Sequence, residues 1–135
     1  MDRPVIREGA LLLARLVVGI VVLAHGWDIL FITGVAATAN DLAALPVPSP
    51  TLTAWAVGSV QLVGGCLIIV GLLTTIVAGI LAIGELAALY VTGQWAHLFL
   101  ADGGMEYRLM VLTVLLLILV FGAGRASLDG VFAGD

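Results

Sequence analysis

The chain has 135 residues, 62% of them hydrophobic and 10% charged, with a mean hydropathy of +1.24. A soluble domain is about 45–50% apolar and about 25% charged, so a soluble domain and a disordered tail are both excluded. Five Arg, no Lys and a formal net charge of −4 leave no basic surface for a nucleic acid, and the single Cys66 excludes a disulfide framework, a CxxC thiol pair and an all-Cys metal site. What remains is an integral membrane protein small enough to form one bundle.

Four apolar stretches can each supply the roughly 20 helical residues that cross a bilayer. They are Ala10–Phe31, Leu52–Leu73, Thr75–Gly93 and about Met105–Ala123. The predicted fold is therefore all-α: a single domain over residues 1–135 built as a bundle of four transmembrane helices. The first stretch is too long for a signal-peptide h-region, and no cleavage site followed by a polar mature domain comes after it. Residues 32–51 read as the longest loop, with Pro46, Pro48 and Pro50 holding it in extended or polyproline II geometry. The second and third spans are separated by almost nothing and should form an antiparallel hairpin. Residues 94–104 are amphipathic, with Trp95 and Phe99 suited to the headgroup zone. The fourth stretch is the most uniform, running LMVLTVLLLILVF from Leu109 to Phe121, so Glu106 and Arg108 sit at its entry.

Arginine placement sets the orientation. With the N-terminus inside, Arg3, Arg7, Arg15 and Arg125 lie at or near the inner face and only Arg108 lies outside. The positive-inside rule then gives N-in, C-in. Depth follows. His25 and Asp28 fall near the outer surface, Gln61 about 14 Å below it, Glu85 near the midplane, and Glu106 with Arg108 at the head of span four. Small-residue stripes mark the seams of the bundle: Arg15, Gly19, Val22 and Gly26 on the first span, Gly58, Gln61 and Gly65 on the second, Ala78, Ala82, Glu85 and Ala88 on the third.

An ionised carboxylate at the midplane costs at least about 2.5–3.5 kcal/mol on insertion scales. Glu85 is thus neutral, paired with Gln61 or Arg15, or open to a polar pocket. His25, Asp28, Gln61, Glu85 and Glu106 make up the candidate ligand pocket, with Gln61 and Glu85 facing each other across the hairpin. One His and two acids on separate elements do not make a metal site; a His–carboxylate pair is the simpler reading. Arg108 reads as an ion-pair partner of Glu106 or Asp28. Cys66 is inert packing inside an apolar helix, and no catalytic residue, metal site or intrinsic cofactor motif is present in the sequence.

Four motifs give the chain a family likeness. LLARLVVGIVVLAHGWDIL (Leu12–Leu30), VQLVGGCLIIVGLLT (Val60–Thr74), GGMEYRLMVL (Gly103–Leu112) and GAGRASLDG (Gly122–Gly130) together resemble the DoxX family of small four-helix bacterial membrane proteins. Gln61 stands where an acidic residue is common in that family, and Ala123 stands in place of a Pro in the ending. The ending gives Arg125, Ser127 and Asp129 a structural or docking role, with Ser127 or Asp129 capping a short following turn.

The resemblance implies a protein of the bacterial inner membrane in a redox setting, since some relatives belong to thiosulfate:quinone oxidoreductase and others associate with superoxide dismutase. The reading it leads to is a small non-catalytic subunit that anchors or assembles a respiratory or oxidative-stress complex. Its partners are membrane lipid and a redox protein, with homo-oligomerisation left open. The alternative is a quinone-binding subunit, in which His25, Asp28, Gln61 and Glu85 hold the headgroup. A small-solute transporter is third, because no internal repeat or broken-helix pair is present.

Overall fold

A computed structural model describes residues 4–92, 106–122 and 128–132, and every regular element among them is helical. In chain order these are α1 (Pro4–Trp27), a π turn (Asp28–Ile32), α2 (Val35–Leu42), α3 (Pro50–Val70), α4 (Thr74–Thr92), α5 (Glu106–Phe121) and α6 (Leu128–Phe132). Among the described residues, three helices are long and apolar enough to cross a membrane: Val5–Ile32, Pro50–Val70 and Thr74–Val91. The 16 residues of α5 rise only about 24 Å, short of the hydrocarbon thickness of about 30 Å.

Local chemistry sets where the helices begin and end. Pro50 opens α3 at a position where its missing N–H costs nothing. Gly71 closes the same helix in the left-handed region (φ 76°), which lets the N–H groups of both Gly71 and Leu72 reach the Leu67 carbonyl, at 2.8 and 2.9 Å. Only Gly71–Leu73 separate α3 from α4, so the two must turn back on each other. They do: Gly64 of α3 lies against Leu81 of α4.

Glycine also sets the seam between α1 and α3. A Cβ at Gly65 would stand 2.6 Å from the Leu23 nitrogen and 2.8 Å from the Gly19 carbonyl. The two backbones therefore touch, as small residues in membrane helices allow. The register is antiparallel, with Gly19 beside Gly65 and Gly26 beside Gly58 and Leu62. α5 packs on α4 with Leu119 beside Gly79 and closes the ring against α1. Val18, Val22, Ile68, Leu81, Leu115 and Ile118 meet in the centre, while Ile20, Val63, Ile83 and Val120 point outward. Most of the expected stripe residues face inward: Arg15, Gly19, Val22, Gly26, Gly58, Gly65, Ala78, Ala82 and Glu85 are buried, while Gln61 and Ala88 are half-buried.

The stretch 32–51 is not an extended loop. α1 widens at its end into the π turn, and Thr33 ties that turn by donating its hydroxyl to both carboxylate oxygens of Asp28, at 3.1 and 3.0 Å. Gly34 (φ 90°) then redirects the chain into α2, which buries Ala39 and packs on α3. The prolines are left with a short turn and the start of α3, where Pro50 serves as the opening residue. Trp95, Phe99, Arg125 and Ser127 lie outside the described residues.

Candidate functional site

The polar side chains fall into two groups at opposite ends of the bundle. The first surrounds the α3–α4 turn. A helix leaves its last carbonyls and its first N–H groups without partners, and in an apolar bundle each such group is costly. Arg15 comes from the middle of α1, is only 1% exposed, and donates from Nε to the Ile68 carbonyl at 3.1 Å and from its terminal guanidinium to the Ile69 carbonyl at 2.9 Å. Asp129 comes from α6 and accepts from the N–H groups of Leu73 and Thr74, both at 2.8 Å, one on each carboxylate oxygen. Its own N–H donates to the Gly71 carbonyl at 2.8 Å. Arginine thus closes the negative end of α3 and aspartate the positive end of α4, each on the side the helix dipole favours. Burial alone pushes the Asp129 carboxyl up. The N–H groups of Thr74 and Leu73 and the charge of Arg15 outweigh it and hold that carboxyl below the usual carboxylate range.

This placement corrects two sequence expectations. Arg15 does not pair with Glu85, because the α1–α3 register sets it beside Ile68 and Ile69, at the end of the bundle away from Arg108. Asp129 does not cap a turn of its own; it caps a helix that begins 55 residues earlier. Ser127 and Arg125, named with it, lie outside the described residues.

The second group lies at the other end. Glu85 of α4, 7% exposed, accepts from an Arg108 guanidinium nitrogen at 3.0 Å. Arg108 is thus tied to Glu85, a pairing the sequence reading did not offer, because it lies above Leu112 and Leu115 on the core face of α5. Glu106 is exposed. Beside the pair, the ring of His25 stacks on Tyr107 with centroids 5.2 Å apart. His25 Nδ1–H donates to the Val21 carbonyl at 2.8 Å, and the Tyr107 hydroxyl oxygen lies 3.2 Å from the same nitrogen. Tyr107 is within electrostatic reach of both Glu85 and Arg108.

Gln61 and Glu85 are not hydrogen-bonded to each other. The Gln61 amide oxygen is buried with no partner among the described residues, and Glu85 turns to Arg108 instead. His25 and Asp28 are not paired either, although they stand i,i+3. The helix widens into the π turn at Asp28, and the carboxylate goes to Thr33 while the imidazole goes to Tyr107. No group of three or more His, Cys, Asp or Glu among the described residues could hold a metal ion. Cys66 is exposed on the outer face of α3.

Sequence reasoning missed Tyr107. It stands 82 residues from His25, so no local spacing connects them, and the only signal was its place inside the GGMEYRLMVL stretch. Chemically, this end can exchange hydrogen bonds and hold one internal ion pair.

No curated protein and no solved structure matches the chain. The sequence model of one family, DoxX, matches residues 10–94, a stretch that carries α1 through α4 and with them Arg15, His25, Gln61 and Glu85. With that match covering more than half of its length, and with three apolar helices of spanning length, the chain is a multi-pass membrane protein that belongs to the DoxX family.

Proposed function

We propose that the chain is a non-catalytic subunit that anchors or assembles a redox complex in the bacterial inner membrane. In this reading residues 1–135 are one domain, α5 with its flanking residues is a fourth span, and both termini face the cytoplasm. The observation that carries the reading is the use made of the buried charges. Arg15 and Asp129 close helix ends, and Glu85 and Arg108 satisfy each other. These groups hold the bundle together, and the outer faces of α1, α3 and α4 stay apolar, suited to lipid and to a neighbouring membrane protein. Extraction in a gentle detergent followed by mass spectrometry of what co-purifies tests it. A reproducible oxidoreductase partner is the expected outcome. A chain that purifies alone, with respiratory activities unchanged when its gene is deleted, would overturn the proposal. Reporter fusions at Asp135 and within 43–49 test the topology, and a periplasmic C-terminus refutes it.

One observation favours a quinone-binding subunit as the second reading. The buried Gln61 amide oxygen lacks a partner among the described residues, and a hydroxyl of a reduced headgroup would supply the missing donor. Gln61→Leu should then lower the quinone bound to the purified protein while leaving it folded. Unchanged quinone content with raised thermal stability leaves the scaffold reading alone.

A further inference from the structure

The α3–α4 turn is closed in large part from elsewhere in the chain. The Ile68 and Ile69 carbonyls go to Arg15, the Gly71 carbonyl to the Asp129 N–H, and the N–H groups of Leu73 and Thr74 to the Asp129 carboxylate. Within the turn, Gly71 and Leu72 cap only the Leu67 carbonyl at the end of α3. The residue ahead of α4 is Leu73, which has no acceptor and holds a left-handed backbone (φ 53°). Asp129 thus supplies the side-chain cap at the start of α4.

The two side chains are held differently. Arg15 is fixed within α1 by the glycine seam and is fully buried, so it cannot leave without taking the helix with it. Asp129 sits on a five-residue helix whose apolar side chains Leu128 and Val131 are 40% and 64% exposed. Of residues 128–131 only Gly130 is buried. Segments with few buried apolar contacts open at lower free energy than the core they rest on. Asp129 ties the segment to Gly71, Leu73 and Thr74 through its carboxylate and its N–H, beside the buried Gly130.

We propose that Leu128–Phe132 is a strap. When seated, Asp129 caps α4 and locks the α3–α4 turn; when released, the turn and the first turn of α4 open together while the core around Leu81 and Leu115 stays packed. The strap is thus a local two-state device at one end of the bundle. It is distinct from the Glu85–Arg108 end and does not depend on which partner the protein serves.

Amide hydrogen exchange on the full chain in lipid nanodiscs tests this. In the unmodified protein, the amides of Leu73, Thr74 and Asp129 should exchange at one common rate, at least tenfold faster than those of Ala82 and Leu115. Separate rates for Asp129 and for the Leu73–Thr74 pair refute the strap, because the two sites would then open independently. In Asp129→Asn, exchange over Leu73–Val77 should rise about tenfold or more while Ala82–Ala88 and Leu112–Ile118 are unchanged. A uniform rise over all peptides, or none, overturns the proposal. The first comparison needs no variant, so it stands even where Asp129→Asn accumulates poorly.

Discussion

Replacing Glu85 by Leu leaves Arg108 facing the bundle without its counter-ion. The pair is short (3.0 Å), with the Glu85 side chain 9% exposed and that of Arg108 26% exposed. Removing one partner of a buried pair costs about 3–5 kcal/mol, chiefly through the charge left behind. Arg108 keeps some access to the surface and a long stem with which to reach it, so the expected loss falls near the lower figure, about 2–3 kcal/mol. The double variant Glu85→Leu/Arg108→Met removes both charges and leaves hydrocarbon of similar volume, and should recover most of that loss. Unfolding of the four proteins in mixed micelles by dodecyl sulfate titration gives the cycle. The expected interaction energy is about 2 kcal/mol, well outside the few tenths seen for independent sites. If the double variant is as unstable as the two single ones added together, the charges do not act as a pair. If Glu85→Leu alone is neutral, the carboxylate contributes nothing to holding Arg108 in the bundle. Either result refutes the reasoning.

Other expectations rest on separate observations. Gly65→Ala puts a methyl group against the Leu23 and Gly19 backbones, which cannot move aside as a side chain would; it should separate α1 from α3 and lower stability by about 1–3 kcal/mol, measured in the same titration. Leu73→Asn should stabilise the turn by roughly 0.5–1 kcal/mol, because a left-handed backbone costs most L-residues about 1–2 kcal/mol and Asn less, and Leu73 is half exposed with little packing to lose; a lowered midpoint would count against it. The depressed carboxyl of Asp129 gives a pH dependence with a definite sign. Its contribution is fully present above the unfolded carboxylate pKa of about 3.9 and is lost as pH falls through the lower folded value. The gap in thermal midpoint between wild type and Asp129→Asn should therefore be constant near neutrality and close below about pH 4; a gap that widens on acidification contradicts this.

Composition and small residues carry most of the fold in readable form. The stripes through Gly19, Gly26, Gly58 and Gly65 mark where helices touch, because only small residues permit that approach, and the α3–α4 hairpin follows from a turn too short for anything else. The partners of the charged groups were not readable. Glu85 is conspicuous by its cost, but its counter-ion sits on α5, where the run from Leu109 to Phe121 is apolar on every side and gives no inward face to align Arg108 with. Asp129 was readable as a cap but not as a cap for α4, since its target is set by how α5 returns the chain to the turn. The i,i+3 logic that joined His25 to Asp28 assumes a continuous α-helix, and the π turn that breaks it has no simple sequence mark. Within 32–51, the eight residues of α2 were too few and too mixed with polar ones to stand out from a loop.

The unequal lengths of neighbouring helices have a consequence for the membrane itself. The apolar stretch Val5–Ile32 of α1 and its π turn is 28 residues, about 42 Å, and α5 beside it runs 16, about 24 Å. A bilayer of one thickness cannot match both. In the four-span arrangement proposed above, lipid next to α5 would have to thin, while α1 tilts or projects its exposed first turns with Arg7 and Glu8 into water. With α5 as a fourth span the protein would meet its bilayer unevenly around its perimeter, and the side where α5 lies is where a neighbour with a short apolar surface would relieve the most hydrophobic mismatch.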